Sequence, residues 1–319
     1  MMNATIASTT SVASSIFPAS LGADRFVTDS IISPGFDLIC SPGAADRARR
    51  DTGKTATEPG FGSLLQSEWT KLRSLRSTWI VVALAIGLSI GFSALIAFTS
   101  GLTHDSWNDT VRSAFDPVVT TNSGSLFGCI LLIVLGVTSV TSEYSSRMIR
   151  TTFISTPRRL RTFAAKATVV GLLGVAITAI SIPGMFLVSQ PIFGHYGLAT
   201  ASITDSSTSR ILLRIILTQA LNYALIPFAI GWLLRGTASA ITVSIGFLWL
   251  PWMLGPILPD WVKHNVLSYL PDVAANSLSG ITKADSPQYL SQAPATAVIA
   301  IWVIGLLAAA AIVLNRRDV

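Results

Sequence analysis

Gly53, Lys54 and Thr55, in the stretch DTGKT at Asp51–Thr55, are the residue types that hold phosphate in a nucleotide-binding loop. Such a loop wraps backbone N–H groups around the phosphates. It needs a glycine five residues before the Gly-Lys-Thr triplet and an apolar strand leading in. Here that position is Ala48, and no apolar strand precedes it. No nucleotide site is expected in this chain. The other reactive side chains are as sparse. His104, His195 and His264 include no pair at metal-ligand spacing, which excludes a helical zinc-protease site. Cys40 and Cys129 make neither a disulfide framework nor a zinc cluster. No serine in an apolar run has a plausible His and Asp partner, so acyl transfer has no support. The chain is read as catalysing nothing itself.

What remains is the chemistry of binding. Between Glu143 and Lys166 the chain reads EYSSRMIRTTFISTPRRLRTFAAK, in which Arg147, Arg150, Arg158, Arg159, Arg161 and Lys166 accompany one acid, Glu143. On a helix Glu143, Arg147 and Arg150 share a face, with Glu143 and Arg147 spaced for an ion pair. Met148, Ile149, Thr152 and Phe153 give a less polar flank. Pro157 ends that helix, because it lacks a backbone donor and crowds the turn before it. These cations either set membrane topology and touch anionic headgroups, or form a surface on which another protein docks. A voltage sensor does not fit: only two arginines keep helical spacing, and neither lies within an apolar run.

Long apolar elements must position this stretch. The chain is 50% hydrophobic and only 12% charged, with a mean hydropathy of +0.60, where soluble domains carry about 25% charged residues. That composition points to an all-α, polytopic membrane protein. Runs of about 20 apolar residues can cross a hydrocarbon core, and six are expected: Thr78–Ser100, Val118–Thr141, Thr168–Ser189, Ile215–Leu234, Ala238–Leu258 and Ala295–Leu314. The fourth and fifth should form a tight hairpin at Arg235 and Gly236.

Placing both termini in the cytoplasm puts twelve basic residues inside (Lys71, Arg73, Arg76, the six of the charged stretch, Arg235, Arg316 and Arg317). Five fall outside: Arg112, Arg210, Arg214, Lys263 and Lys283. This satisfies the positive-inside bias and makes the charged stretch a cytoplasmic loop between spans two and three. The net charge of +6 is therefore read as topology, not as affinity for nucleic acid. A multi-pass protein of the cell membrane is expected, in contact with its lipids.

Residues 1–60 are rich in Ser, Thr, Ala, Gly, Pro and Asp without periodicity and read as a disordered tail. They do not have the pattern of a secretory signal. The membrane domain is expected over 61–319. It opens on SLLQSEWTKLRSLRSTW, Ser63–Trp79, whose apolar residues recur at helical spacing. Trp69 and Trp79 suit an aromatic belt, and Lys71, Arg73 and Arg76 suit headgroups, with Glu68 on the same helix. A short amphipathic helix at the inner membrane surface is expected here, either as a plain anchor or as a docking element.

The expected spans hold no Asp, Glu, Lys or His in their central portions, which argues against an ion-coupled carrier. Milder polar groups do occur. Gln219, Asn222 and Tyr223 lie in span four, and Asn122 near the start of span two; they either line a pathway or hydrogen-bond between helices. Gly87-x-x-x-Gly91 and Gly124-x-x-x-Gly128 permit close helix contact, within one chain or across a dimer. Before span six, Asp260–Leu270 reads as a partly inserted or interfacial helix.

Three pieces in order, SEWTKLRSLRSTW, TSEYSSRMIRTTFISTPRRLRTFAAK and the closing NRRDV, resemble the permease subunits of type-2 ATP-binding cassette exporters of the actinobacterial kind. The resemblance covers about residues 61 to 319. It implies a separate ATPase subunit that binds ATP and Mg, so that this chain carries no cofactor. It also implies a second permease half, as a homodimer or a sister subunit, and export by alternating access. The loop between spans two and three would then carry a cytoplasmic coupling helix. Glu143 begins that signature, Arg147, Met148 and Arg150 lie on or beside the helix, and Pro157 and Arg158 close it. Arg147 departs from the family, whose loops commonly carry glycine there; glycine permits backbone angles that arginine resists. With the resemblance, ATPase docking becomes the preferred account of the loop. A membrane scaffold or regulatory protein without transport is the alternative.

Overall fold

The structure, a computed structural model of the chain, describes residues 60–145 and 159–316. The expected tail and the stretch 146–158 lie outside the described residues. Every described element is helical: α1 (Phe61–Ser74), α2 (Arg76–Thr103), α3 (Asp109–Ala114), α4 (Pro117–Asn122), α5 (Leu126–Ser145) and α6 (Arg159–His195) come first. After them come α7 (Ser206–Ala220), α8 (Ile226–Leu234), α9 (Thr237–Leu254), α10 (Asp260–Asn265), α11 (Pro271–Ser279) and α12 (Gln292–Arg316).

Six stretches are long and apolar enough to cross a membrane: Arg76–Ser106, Pro117–Tyr144, Leu160–His195, Ser206–Leu234, Thr237–Leu254 and Gln292–Arg316. They coincide with the six expected runs, with different ends. Span three is the longest, at 36 residues; at 1.5 Å per residue it measures about 54 Å. That exceeds the ~30 Å hydrocarbon core, so its ends stand clear of it. Span five stops at Leu254, short of the expected Leu258, where Pro256 supplies no backbone donor to continue the helix.

Spans two, three and four form the centre, with 61%, 56% and 56% of their apolar windows buried, against 22%, 22% and 28% for spans one, five and six. Ile133 and Val137 of span two meet Phe228 and Ala229 of span four in the main apolar cluster, with Val170 of span three beside them. Span four passes through a π-helical turn, Leu221–Leu225, between α7 and α8. Pro227 follows it and cannot donate to the preceding turn, and a π turn is one way a helix absorbs that loss. The turn brings Ala224 against two glycines. A Cβ on Gly136 would lie 2.5 Å from the Ala224 carbonyl oxygen, and one on Gly174 would lie 2.9 Å from the Ala224 Cβ. Gly124 and Gly128 face Ser93 and Ser89 of span one in the same chain, whereas Gly87 and Gly91 face open space.

The expected helix Ser63–Trp79 is two helices. Leu75 is extended (φ −85°, ψ 114°), so α1 ends at Ser74 and Trp79 belongs to span one. No glycine or proline marks the break; Trp79 Nε1 closes over it by donating to the Arg73 carbonyl at 3.1 Å.

Candidate functional site

One end of the bundle gathers the start of span one, the end of span two, the start of span three and the hinge between spans four and five. Glu68 sits on the apolar stripe of α1, and α1 packs on α6, so the carboxylate is carried inward to 3% exposure. A buried charge must be paired. Lys166, 5% exposed on α6, answers it: its Nζ lies 2.8 Å from Glu68 Oε2 and 2.7 Å from Glu143 Oε1. The same ammonium donates to the Ser139 carbonyl at 3.3 Å. Lys71, one turn after Glu68, closes the ring at 2.6 Å from Glu68 Oε1 and 3.4 Å from Glu143 Oε1.

Glu68, Lys71, Glu143 and Lys166 thus join α1, α5 and α6 in one charge cluster. Burial alone would push the Glu68 carboxyl up, but Lys166 and Lys71 outweigh it and hold the group below its usual range. Burial works equally against the Lys71 ammonium, and Glu68 and Glu143 overcome it and raise that group above its ordinary value.

The neighbouring hinge is fastened to the same end of span two. Arg235 adopts the left-handed conformation (φ 59°) that caps α8, donating its N–H to the Gly231 carbonyl at 2.9 Å. Its guanidinium lies 5.2 Å from the centre of the Tyr144 ring. The Thr237 hydroxyl donates to Thr141 Oγ1 at 2.8 Å. The expected tight hairpin therefore turns directly beside the last residues of span two.

Of the residues expected to couple to a partner, Glu143 is in this cluster, while Arg147, Met148, Arg150, Pro157 and Arg158 lie outside the described residues. On α1, Glu68 and Lys71 turn into the cluster, and Trp69 is exposed at 42%. Arg73 and Arg76 are likewise exposed. The sequence reading missed the pairing of Glu68 with Lys166. Its signal was a lone carboxylate on an otherwise apolar helix face.

A second polar group lies midway along span four. Gln219 Nε2 donates to Asn122 Oδ1 at 3.0 Å and to Ser125 Oγ at 3.1 Å, joining spans four and two. Asn222 and Tyr223, in the π turn, face α11 instead. Asn222 Nδ2 donates to the Pro271 carbonyl at 2.9 Å, and the Tyr223 hydroxyl donates to Asp272 Oδ1 at 2.6 Å. Asn276 Nδ2 donates to the other Asp272 oxygen at 3.3 Å. Burial pushes the Asp272 carboxyl, carried on α11 in the segment that links spans five and six in the chain, up to about 6, against the pull of the Tyr223 and Asn276 donors.

The helix before span six that is buried in the bundle is α11. α10, within the expected Asp260–Leu270, has no buried residue, because Trp261 turns outward at 69% exposure. No span carries a central acid, yet α11 brings one to the middle of the bundle from outside the spans.

Among the described residues no group of His, Cys, Asp and Glu could hold a metal ion. Comparison with curated proteins and with solved structures gives no match. The family described as "ABC-2 family transporter protein" matches residues 64–249, which run from α1 through the charge cluster and the hinge at Arg235 into α9. That is more than half of the chain, and the protein belongs to the ABC-2 family as a multi-pass membrane permease of an ATP-binding cassette transporter.

Proposed function

We propose that this chain is one permease half of an exporter driven by a separate ATPase subunit that binds ATP and Mg below the membrane. Both termini face the cytoplasm of the cell, and a second permease half, identical or a sister chain, completes the pathway. The observation that carries this reading is the Glu68–Lys71–Glu143–Lys166 cluster. It ties both flanks of the stretch 146–158 to α1, so a push on that stretch is delivered to spans two and three together. Partner closure then reorients the two halves about the pathway, and cargo leaves on the far side. Glu143, Arg147, Met148, Arg150, Pro157 and Arg158 form the contact with the ATPase. Asn122, Gln219, Asn222 and Tyr223 are the polar groups that the moving bundle must keep satisfied.

The test is recovery of the tagged chain from mild detergent after co-expression with its genomic neighbours. An ATPase should accompany it, and reversing charge with Arg150→Glu and Arg158→Glu should release that ATPase while leaving membrane insertion intact. If no nucleotide-binding protein accompanies the chain, it is a scaffold without transport. If the ATPase stays bound to the reversed variant, the loop is a topology signal only.

A further inference from the structure

A cavity of about 520 Å³ opens between α1 and the adjoining ends of spans one, two and three. Its volume falls in the range of about 300–1,000 Å³ typical of small-molecule sites. Leu72, Val81, Leu135 and Val169 make its walls apolar, and Lys71, Ser77 and Thr78 stand at its polar end. The charge cluster forms that end, but its members are not presented equally. The side chains of Glu68 and Glu143 are 4% and 12% exposed and that of Lys166 is 7%, whereas that of Lys71 is 37%. An ammonium has three donor hydrogens, and the two carboxylates beside Lys71 take two of them. Among the described residues a third remains for a ligand.

The cation is thus what this cavity shows to an arriving molecule. Arg73 and Arg76, both exposed, flank it in sequence, and Trp69 and Trp79 are exposed on the same two helices. Tryptophan beside basic residues marks the membrane–water interface, where lipid headgroups lie.

We propose that this cavity is a binding site for an anionic glycerophospholipid of the adjacent leaflet, with its phosphate at Lys71 and an acyl chain along Leu72, Val81, Leu135 and Val169. The site needs neither cargo nor an ATPase, so it stands apart from the transport reading. The lipid wedges α1 against spans one to three and completes the polar end that the protein leaves with a spare donor.

Native mass spectrometry of the full chain, titrated with dioleoyl phosphatidylglycerol or with dioleoyl phosphatidylcholine, tests this. The wild type should retain one phosphatidylglycerol with a preference of about tenfold over phosphatidylcholine. Val81→Trp, at a half-buried wall position with room for the larger ring, should lose that bound lipid. Lys71→Gln should keep a bound lipid but bring the two headgroups within about twofold of each other. Leu172→Trp, on the lipid-facing side of span three (Leu172 is 63% exposed), should match the wild type. Equal retention of both lipids by the wild type overturns the proposal, as does full retention of phosphatidylglycerol by Val81→Trp. Should Val81→Trp fail to fold, the headgroup preference of Lys71→Gln decides alone: a preference unchanged from the wild type overturns it.

Discussion

Replacing Lys166 with methionine keeps most of the side chain's length and apolar stem and removes its charge. Two carboxylates then lose the ammonium that reached both of them. Lys71 reaches Glu143 at 3.4 Å, with its side chain 37% exposed, so solvent screens much of its effect. Removing one partner of a buried ion group costs about 3–5 kcal/mol, because the remaining charge stays buried without compensation. In a domain of this size that lowers the melting temperature by on the order of 10 °C.

Lys71→Met should cost far less, about 1 kcal/mol or below, as for other solvent-screened pairs. The double variant Lys166→Met/Glu68→Gln also removes one of the two carboxylates that Lys166 had met and should recover at least half of the loss. The pH dependence has a definite sign. In the wild type the Glu68 carboxyl is held below its usual range, so its stabilisation is present above the unfolded carboxylate range and is lost as pH falls through the lowered folded value. Without Lys166, burial favours the protonated acid, so the deficit of Lys166→Met should narrow on acidification. Thermal unfolding in detergent, followed by tryptophan fluorescence from acid to neutral pH, reads all of this. A deficit under 1 kcal/mol, or one that stays constant with pH, would refute the reasoning.

The Asp272 acid is raised from 3.8 to about 6 in the fold, so its contribution is full below the unfolded value and is lost as pH rises through about 6. Asp272→Asn should flatten that part of the stability profile, measured as melting temperature against pH, while keeping an acceptor for the Tyr223 hydroxyl. Tyr223→Phe leaves the buried carboxyl without that donor and should cost about 1–3 kcal/mol in the same assay. Gly136→Ala pushes a methyl to 2.5 Å from the Ala224 carbonyl oxygen and should destabilise by about 1–3 kcal/mol through overpacking. Gly87→Ala meets open space and should leave the melting temperature of the single chain unchanged or slightly higher.

The six spans were legible because their runs are long, apolar and bounded by charge, and the hairpin at Arg235 was legible because two such runs nearly touch. Glu68 was half legible: its place on the stripe of α1 marks it as buried, but nothing local names Lys166, almost a hundred positions away, as its partner. The break at Leu75 has no local signal, since tertiary packing of α1 on α6 overrides a continuous helical pattern. Gly136 and Gly87 look alike in sequence and differ only in what faces them. Asp272 was the least legible. α11 is nine residues long, far short of the about 20 needed to span, so hydropathy places it outside. Its depth is set by docking on the π turn of span four.

That docking also orders the making of the protein. A segment that enters lipid from the translocation machinery with a central aspartate incurs a cost of about 2.5–3.5 kcal/mol. Span four carries only Gln219, Asn222 and Tyr223 in its middle and escapes that cost. The acid that later faces these residues travels on a helix that never has to partition into lipid alone. α11 packs against both α7 and α12, and it is synthesised after span four and before α12. The partner that receives Asp272, the Tyr223 hydroxyl, belongs to a span made before α11, so the carboxyl is buried against a site already in place.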